Sequence, residues 1–124
     1  MTQVFVVDDD ESVRRALGRL LRSAGYGVSG FASAVGVLAE VERNRPACMI
    51  IDVRMPIVDG LELFERLRSA DIAVPVIFIT GHGDIAMAVR AMKAGAFDFL
   101  AKPFSDDALL GAVAGAVAQS RGAA

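Results

Sequence analysis

Cysteine, histidine and clustered basic residues are nearly absent from this sequence. A single cysteine, Cys48, leaves no partner for an internal disulfide. Its place in the apolar run Ala47-Cys48-Met49-Ile50-Ile51 marks it as a buried small hydrophobe and fits a reducing cytoplasm. The 13 basic and 15 acidic side chains give a formal charge of -2, and the basic ones neither dominate nor gather into one stripe, so no direct nucleic-acid binding by this domain is expected. The N-terminus passes from Met1-Thr2-Gln3 into a short apolar run that acids stop at once. That is neither a basic segment followed by an export-type apolar one nor a membrane span, and a cytoplasmic location is the expectation. Neither a dinucleotide fingerprint nor a Walker A loop occurs, and no linker, repeat or low-complexity stretch divides the chain.

What is present is a large apolar fraction, 54% of 124 residues, enough for one domain with a substantial core. Residues 1–120 are read as that domain and 121–124 as a tail or the start of a truncated linker. Short apolar runs alternate with amphipathic stretches five times, the pattern of an α/β fold with a parallel sheet covered by helices on both faces. Strands are predicted at Val4 to Val7, Val28 to Phe31, Cys48 to Ile51, Val76 to Ile79 and Phe97 to Leu100. The first helix carries Val13, Leu17, Leu20, Leu21 and Ala24 at helical spacing, with Asp10 as its cap and Gly25 at its end. A second runs from a Ser33 cap to about Arg45 before Pro46; a third follows the Asp59-Gly60 turn. A fourth spans Asp84 to Gly95, with Ile85, Val89 and Met92 as its core stripe and Met87, Ala91 and Ala94 off it. The fifth starts at a Ser105 cap with Asp106 and Asp107 in its first turn, and from Ala108 to Ala118 it has no charged residue.

The chemistry lies where the apolar runs end. The first ends in Asp8-Asp9-Asp10, the third in Asp52, the fourth in Thr80 and the fifth in Lys102, whereas the second ends in Ala32-Ser33, as suits a sheet edge. Ligands of open parallel sheets bind outside the carboxyl ends of the strands, so these residues should converge on one pocket. Asp8, Asp9 and Asp52 together would push carboxylate pKa values up unless a cation neutralised them, and all-oxygen ligation points to magnesium. A carboxylate beside it can attack phosphorus and form an acyl phosphate, with Lys102 and the Thr80 hydroxyl holding the added oxygens. Taken singly, Asp8 and Asp9 also suit a helix start, Thr80 a strand end and Lys102 a solvated loop. The only histidine, His82, reads as an exposed loop residue and too soft for a magnesium site.

Together and in order, Asp8-Asp9, Asp52 with Met55-Pro56 and Asp59-Gly60, Thr80-Gly81-His82-Gly83-Asp84 and Phe99-Leu100-Ala101-Lys102-Pro103-Phe104 resemble bacterial response regulator receiver domains of the CheY-like, flavodoxin-like superfamily, most closely the FixJ type. The resemblance covers essentially the whole chain and implies a five-stranded parallel sheet in the order 2-1-3-4-5 with five helices on two faces. It implies a signalling switch, not an enzyme acting on other substrates, in which Asp52 takes a phosphoryl group from a sensor histidine kinase or a small acyl phosphate. By the same resemblance Asp9, Asp52 and the Arg54 backbone carbonyl hold Mg2+, with Mn2+ as the alternative, and Asp8 acts through water. Lys102 pairs with the phosphoryl group, Thr80 and Phe99 form the switch, Arg54 and His82 tune the acyl-phosphate lifetime, and the Lys102-Pro103 bond is cis. The expected partners are the kinase and either an output domain for transcription regulation or a phosphorylation-dependent homodimer through the fourth helix, the fifth strand and, by its uncharged face, the fifth helix. No membrane partner is expected. A haloacid-dehalogenase-like phosphatase would need a second Asp two residues after Asp52, where Arg54 stands, and room for a cap domain.

Overall fold

The computed structural model describes residues 1–81 and 84–122. Five strands alternate with five helices: β1 (Gln3–Val7), α1 (Glu11–Ser23), β2 (Gly27–Phe31), α2 (Val37–Arg43), β3 (Cys48–Asp52), α3 (Gly60–Ser69), β4 (Val76–Thr80), α4 (Ile85–Lys93), β5 (Asp98–Ala101) and α5 (Asp106–Gly122). The strands form one parallel sheet in the order β2-β1-β3-β4-β5. This is the flavodoxin-like arrangement that the sequence resemblance implied, and each predicted strand lies within one residue of the observed one.

Strand alternation explains the layers. In β1, Phe5 and Val7 point to one face and Val4 and Val6 to the other, and all four are buried because helices cover both sides. One layer joins Phe5, Met49 and Phe78 to Val41, Leu63, Phe64 and Leu67 under α2, α3 and α4. The other joins Val4, Ile50 and Ile79 to Leu17, Leu21, Leu109 and Val113 under α1 and α5. Cys48 is fully buried in that second layer, and burial pushes its thiol up to about 12.

Helix starts follow side-chain capping where a side chain caps. Asp10 accepts from the Ser12 and Val13 amides, Asp59 from the Glu62 amide, and Ser105 from the Ala108 amide. The expected start of α2 at Ser33 is corrected: the Ser33 hydroxyl accepts from the Val35 amide in a local turn, and the helix begins only after Gly36, whose φ of 79° is left-handed. The faces of α4 are also corrected. Ala88 and Ala91 are buried against the sheet, with Met87 and Ala94 half-buried beside them, whereas Ile85, Val89 and Met92 are 66%, 44% and 37% exposed. Steric fit, not hydrophobicity, chose that face, since a helix can lie close to a sheet on methyl side chains and leave larger ones outside. At the other end of the chain α5 continues past the expected end of the domain to Gly122, and Arg121 donates to the Thr2 hydroxyl at 3.0 Å. No described helix is long and apolar enough to cross a membrane.

Candidate phosphoacceptor site

The sheet order places the carboxyl ends of β1 and β3 side by side at its centre, where the chain's connections reverse direction. Asp8 and Asp9 leave the end of β1, Asp52 ends β3, Thr80 ends β4 and Lys102 follows β5. Carboxylate oxygens of Asp8, Asp9 and Asp52 lie within 4.8 Å of one another, and the Lys102 Nζ stands 3.5 Å from Asp8 Oδ2 and 3.7 Å from Asp52 Oδ2. The structure thus brings Asp8, Asp9, Asp52 and Lys102 together, with Thr80 at the end of the neighbouring strand β4.

Local backbone geometry fixes each member. Asp8 is fully buried; its Oδ1 accepts from the Asp10 amide at 2.8 Å, and its carbonyl accepts from the Arg14 guanidinium at 2.7 Å. Asp9 is exposed at the mouth. Asp52 accepts from the Arg54 amide at 3.2 Å, and the turn behind it is closed by the Gly60 amide on the Val53 carbonyl at 2.8 Å. Glycine is required there: a Cβ on residue 60 would stand 2.1 Å from the Asp52 carbonyl oxygen. Thr80 is buried, and its carbonyl accepts from the Lys102 amide at 2.8 Å, tying the ends of β4 and β5 together. The Lys102–Pro103 peptide bond is cis.

Electrostatics follow from burial. Desolvation and, next, the Asp8 charge raise the Asp52 carboxyl to about 6, with Asp9 adding to the rise, against the opposing pull of Lys102 and the Arg54 amide. Among the described residues Asp8 Oδ2 is the one buried side-chain oxygen or nitrogen without a hydrogen-bond partner. A three-carboxylate, all-oxygen cluster with an unpartnered buried oxygen fits a hard divalent cation better than the single ammonium it has.

The remaining predicted residues stand around this pocket. Phe99 is half-buried on β5, against the layer that holds α4. Arg54 sends its side chain outward, 68% exposed, and its Nε donates to Asp84 Oδ1 at 2.5 Å. His82 lies outside the described residues. Sequence reasoning placed Asp84 at the start of the fourth helix and at the end of the Thr80-to-Asp84 motif but missed its pairing with Arg54. The carboxylate is buried, yet it makes no capping bond to α4 and pairs with Arg54 instead. Thirty positions separate the two, so only the sheet topology could have joined them.

Comparison with known proteins finds relatives over nearly the whole chain. Residues 4–114 match the family model described as response regulator receiver domain. Response regulator protein TodT of Pseudomonas putida is 47% identical over 92% of this chain and 50% of its own length. Transcriptional regulatory protein FixJ of Bradyrhizobium diazoefficiens is 44% identical over 98% of the chain and 59% of its own. The chain thus spans about half the length of curated relatives such as TodT. Among solved structures, the crystal structure of FixJ-N matches with a TM-score of 0.89 at 43% identity, over 94% of each chain. A response regulator receiver domain protein from Clostridium thermocellum matches at 0.90 with 29% identity, over 98% of each.

Proposed function

We propose, from the premise that this chain belongs to the response regulator receiver domain family, that it is a switch thrown by phosphorylation of Asp52. The observation that carries this reading is the convergence of Asp8, Asp9 and Asp52 with Lys102 at the carboxyl ends of the central strands. An Asp52 carboxylate oxygen attacks the phosphorus of a phosphohistidine or a small acyl phosphate, the bond from phosphorus to the donor breaks, and its electron pair leaves with the donor. Lys102 pairs with the phosphoryl oxygens as their charge develops, and Asp8 keeps that ammonium in place before the transfer. Asp9, Asp52 and the Arg54 carbonyl would hold Mg2+, or Mn2+, with Asp8 acting through water; the ion would neutralise the crowded carboxylates and the incoming oxygens.

The phosphoryl group brings about two negative charges and three strong acceptors to a pocket beside the end of β4, where Thr80 stands. Thr80 moves toward it and half-buried Phe99, packed against the layer that holds α4, changes rotamer, which links the pocket to the surface of α4 and β5. That surface carries the exposed side chains Ile85, Val89 and Met92 one helical turn apart on α4. It is the docking face for an output domain or a second phosphorylated copy, with α5 as its neighbour. A groove of about 280 Å3 between α1 and the β5–α5 loop, lined by Val13, Leu17, Leu20, Pro103 and Phe104, opens beside Lys102 and suits the kinase. The chain through the end of α5 at Gly122, where Arg121 is tied back to Thr2, is the receiver of a cytoplasmic regulator of transcription.

The test is direct. Incubation with acetyl phosphate and magnesium should give a phosphoryl adduct by intact mass. The adduct should vanish in Asp52→Asn and with a chelator. An adduct that persists in either would overturn the reading.

A further inference from the structure

Asp84 is a buried carboxylate at the head of α4 that leaves the helix's amides uncapped and takes the Arg54 guanidinium, at 2.5 Å through Nε. The pair crosses the boundary between β3 and β4, since Arg54 follows Asp52 by two residues and the Val53 amide donates to the Ile79 carbonyl at 3.0 Å. The other Asp84 oxygen, Oδ2, lies against Gly81, within 3.8 Å of where a Cβ would be on that residue. One carboxylate therefore joins the residue two beyond the phosphoacceptor to the start of α4, packed beside the residue after Thr80. Arg54 is otherwise free to move: its side chain is 68% exposed, and its amide, not its guanidinium, is the group that holds Asp52.

We propose that Asp84 is a positioning residue that sets the lifetime of the acyl phosphate by holding Arg54 aside from it. The inference rests on the assignment of Asp52 as phosphoacceptor. A guanidinium has planar donors that match phosphate oxygens in pairs. Once Asp52 carries a phosphoryl group, that group and Asp84 compete for the same cation. While Asp84 keeps Arg54, one side of the phosphorus stays open to water. Hydrolysis then follows: a water oxygen attacks phosphorus, the bond from phosphorus to the Asp52 oxygen breaks, and its electron pair returns to the carboxylate. Inorganic phosphate departs and the surplus water proton passes to solvent. When Asp84 releases Arg54, the guanidinium closes over the phosphoryl oxygens and water is excluded. Asp84 competes for Arg54 because a buried carboxylate left without its cation is unfavourable, while water screens the exposed guanidinium side of the pair and lets it be released.

The experiment is a double-mutant cycle on adduct decay. Wild type, Asp84→Asn, Arg54→Ala and the double variant are loaded with acetyl phosphate and magnesium, freed of donor and followed by intact mass, with thermal melting recorded alongside. Asp84→Asn should lengthen the adduct half-life severalfold; the double variant should decay like Arg54→Ala; and Asp84→Glu, which keeps the charge, should return toward wild type. A half-life unchanged in Asp84→Asn, or lengthened equally with and without Arg54, overturns the inference, as does a change that Asp84→Glu does not reverse. If wild type forms no adduct, the assignment of Asp52 falls and this inference falls with it; an adduct with an unresponsive lifetime removes the inference alone.

Discussion

Asp52 is held against its own charge. Its carboxyl is pushed up to about 6 by burial first and by Asp8 next, so the folded state binds the proton more tightly than the unfolded chain does. For such a group the stabilising contribution is complete below the ordinary carboxylate range and is lost as pH rises through about 6. A rise of roughly two pH units corresponds to about 3 kcal/mol at most. Asp52→Asn should therefore be more stable than the wild-type protein at pH 7 in chelator, by about 1–3 kcal/mol. The gap should shrink toward pH 4 and on adding magnesium. Denaturant titrations of both proteins at a series of pH values would show it, and a wild type more stable than Asp52→Asn at pH 7 without metal would contradict it. This strain was legible in the sequence as a crowd of acids at strand ends. The burial that makes Asp8 and Asp52 differ from Asp9 was not, because three neighbouring acids look alike until the sheet covers two of them.

The helices show most plainly what can be read from sequence and what cannot. Strands buried on both faces appear as unbroken apolar runs, and Val4 to Val7, Cys48 to Ile51 and Val76 to Ile79 could be placed to within a residue. A helix face is inferred from where the large apolar residues lie, and α4 violates that inference. Ile85, Val89 and Met92 look like a core stripe because they are the most hydrophobic side chains there, yet the sheet takes Ala88 and Ala91. Likewise Ser33 has the residue type of a cap, and only the left-handed Gly36 reveals that the helix starts later. The reversed face of α4 gives a paired prediction. Ala91→Leu should destabilise the fold by about 1–3 kcal/mol through overpacking, whereas Ile85→Ser should stay within about 0.5 kcal/mol. Sedimentation with acetyl phosphate and magnesium should then show self-association in wild type and its loss in Ile85→Ser. A large stability loss in Ile85→Ser would return that residue to the core.

For the whole molecule, the sheet is a wall between two apolar layers that share no helix but share every central strand. Each residue of β3 and β4 is buried, so those strands cannot be exposed without opening both layers together. Neither layer is equally firm at all points. The α5 side rests on Leu109, Val113 and Val117, while α4 rests on two methyl groups with half-buried Met87 and Ala94 beside them. Amide hydrogen exchange should register this as a hierarchy. The amides of β1 and β3 should exchange last and at the rate of global unfolding, those of α5 earlier, and those of α4 well before either. Uniform protection across α4 and α5 would contradict the ordering. The small residues beneath α4 thus have a consequence beyond packing: they make it the part of the protein that can breathe alone, so a partner seated on Ile85, Val89 and Met92 would announce itself as slowed deuterium uptake in that one helix.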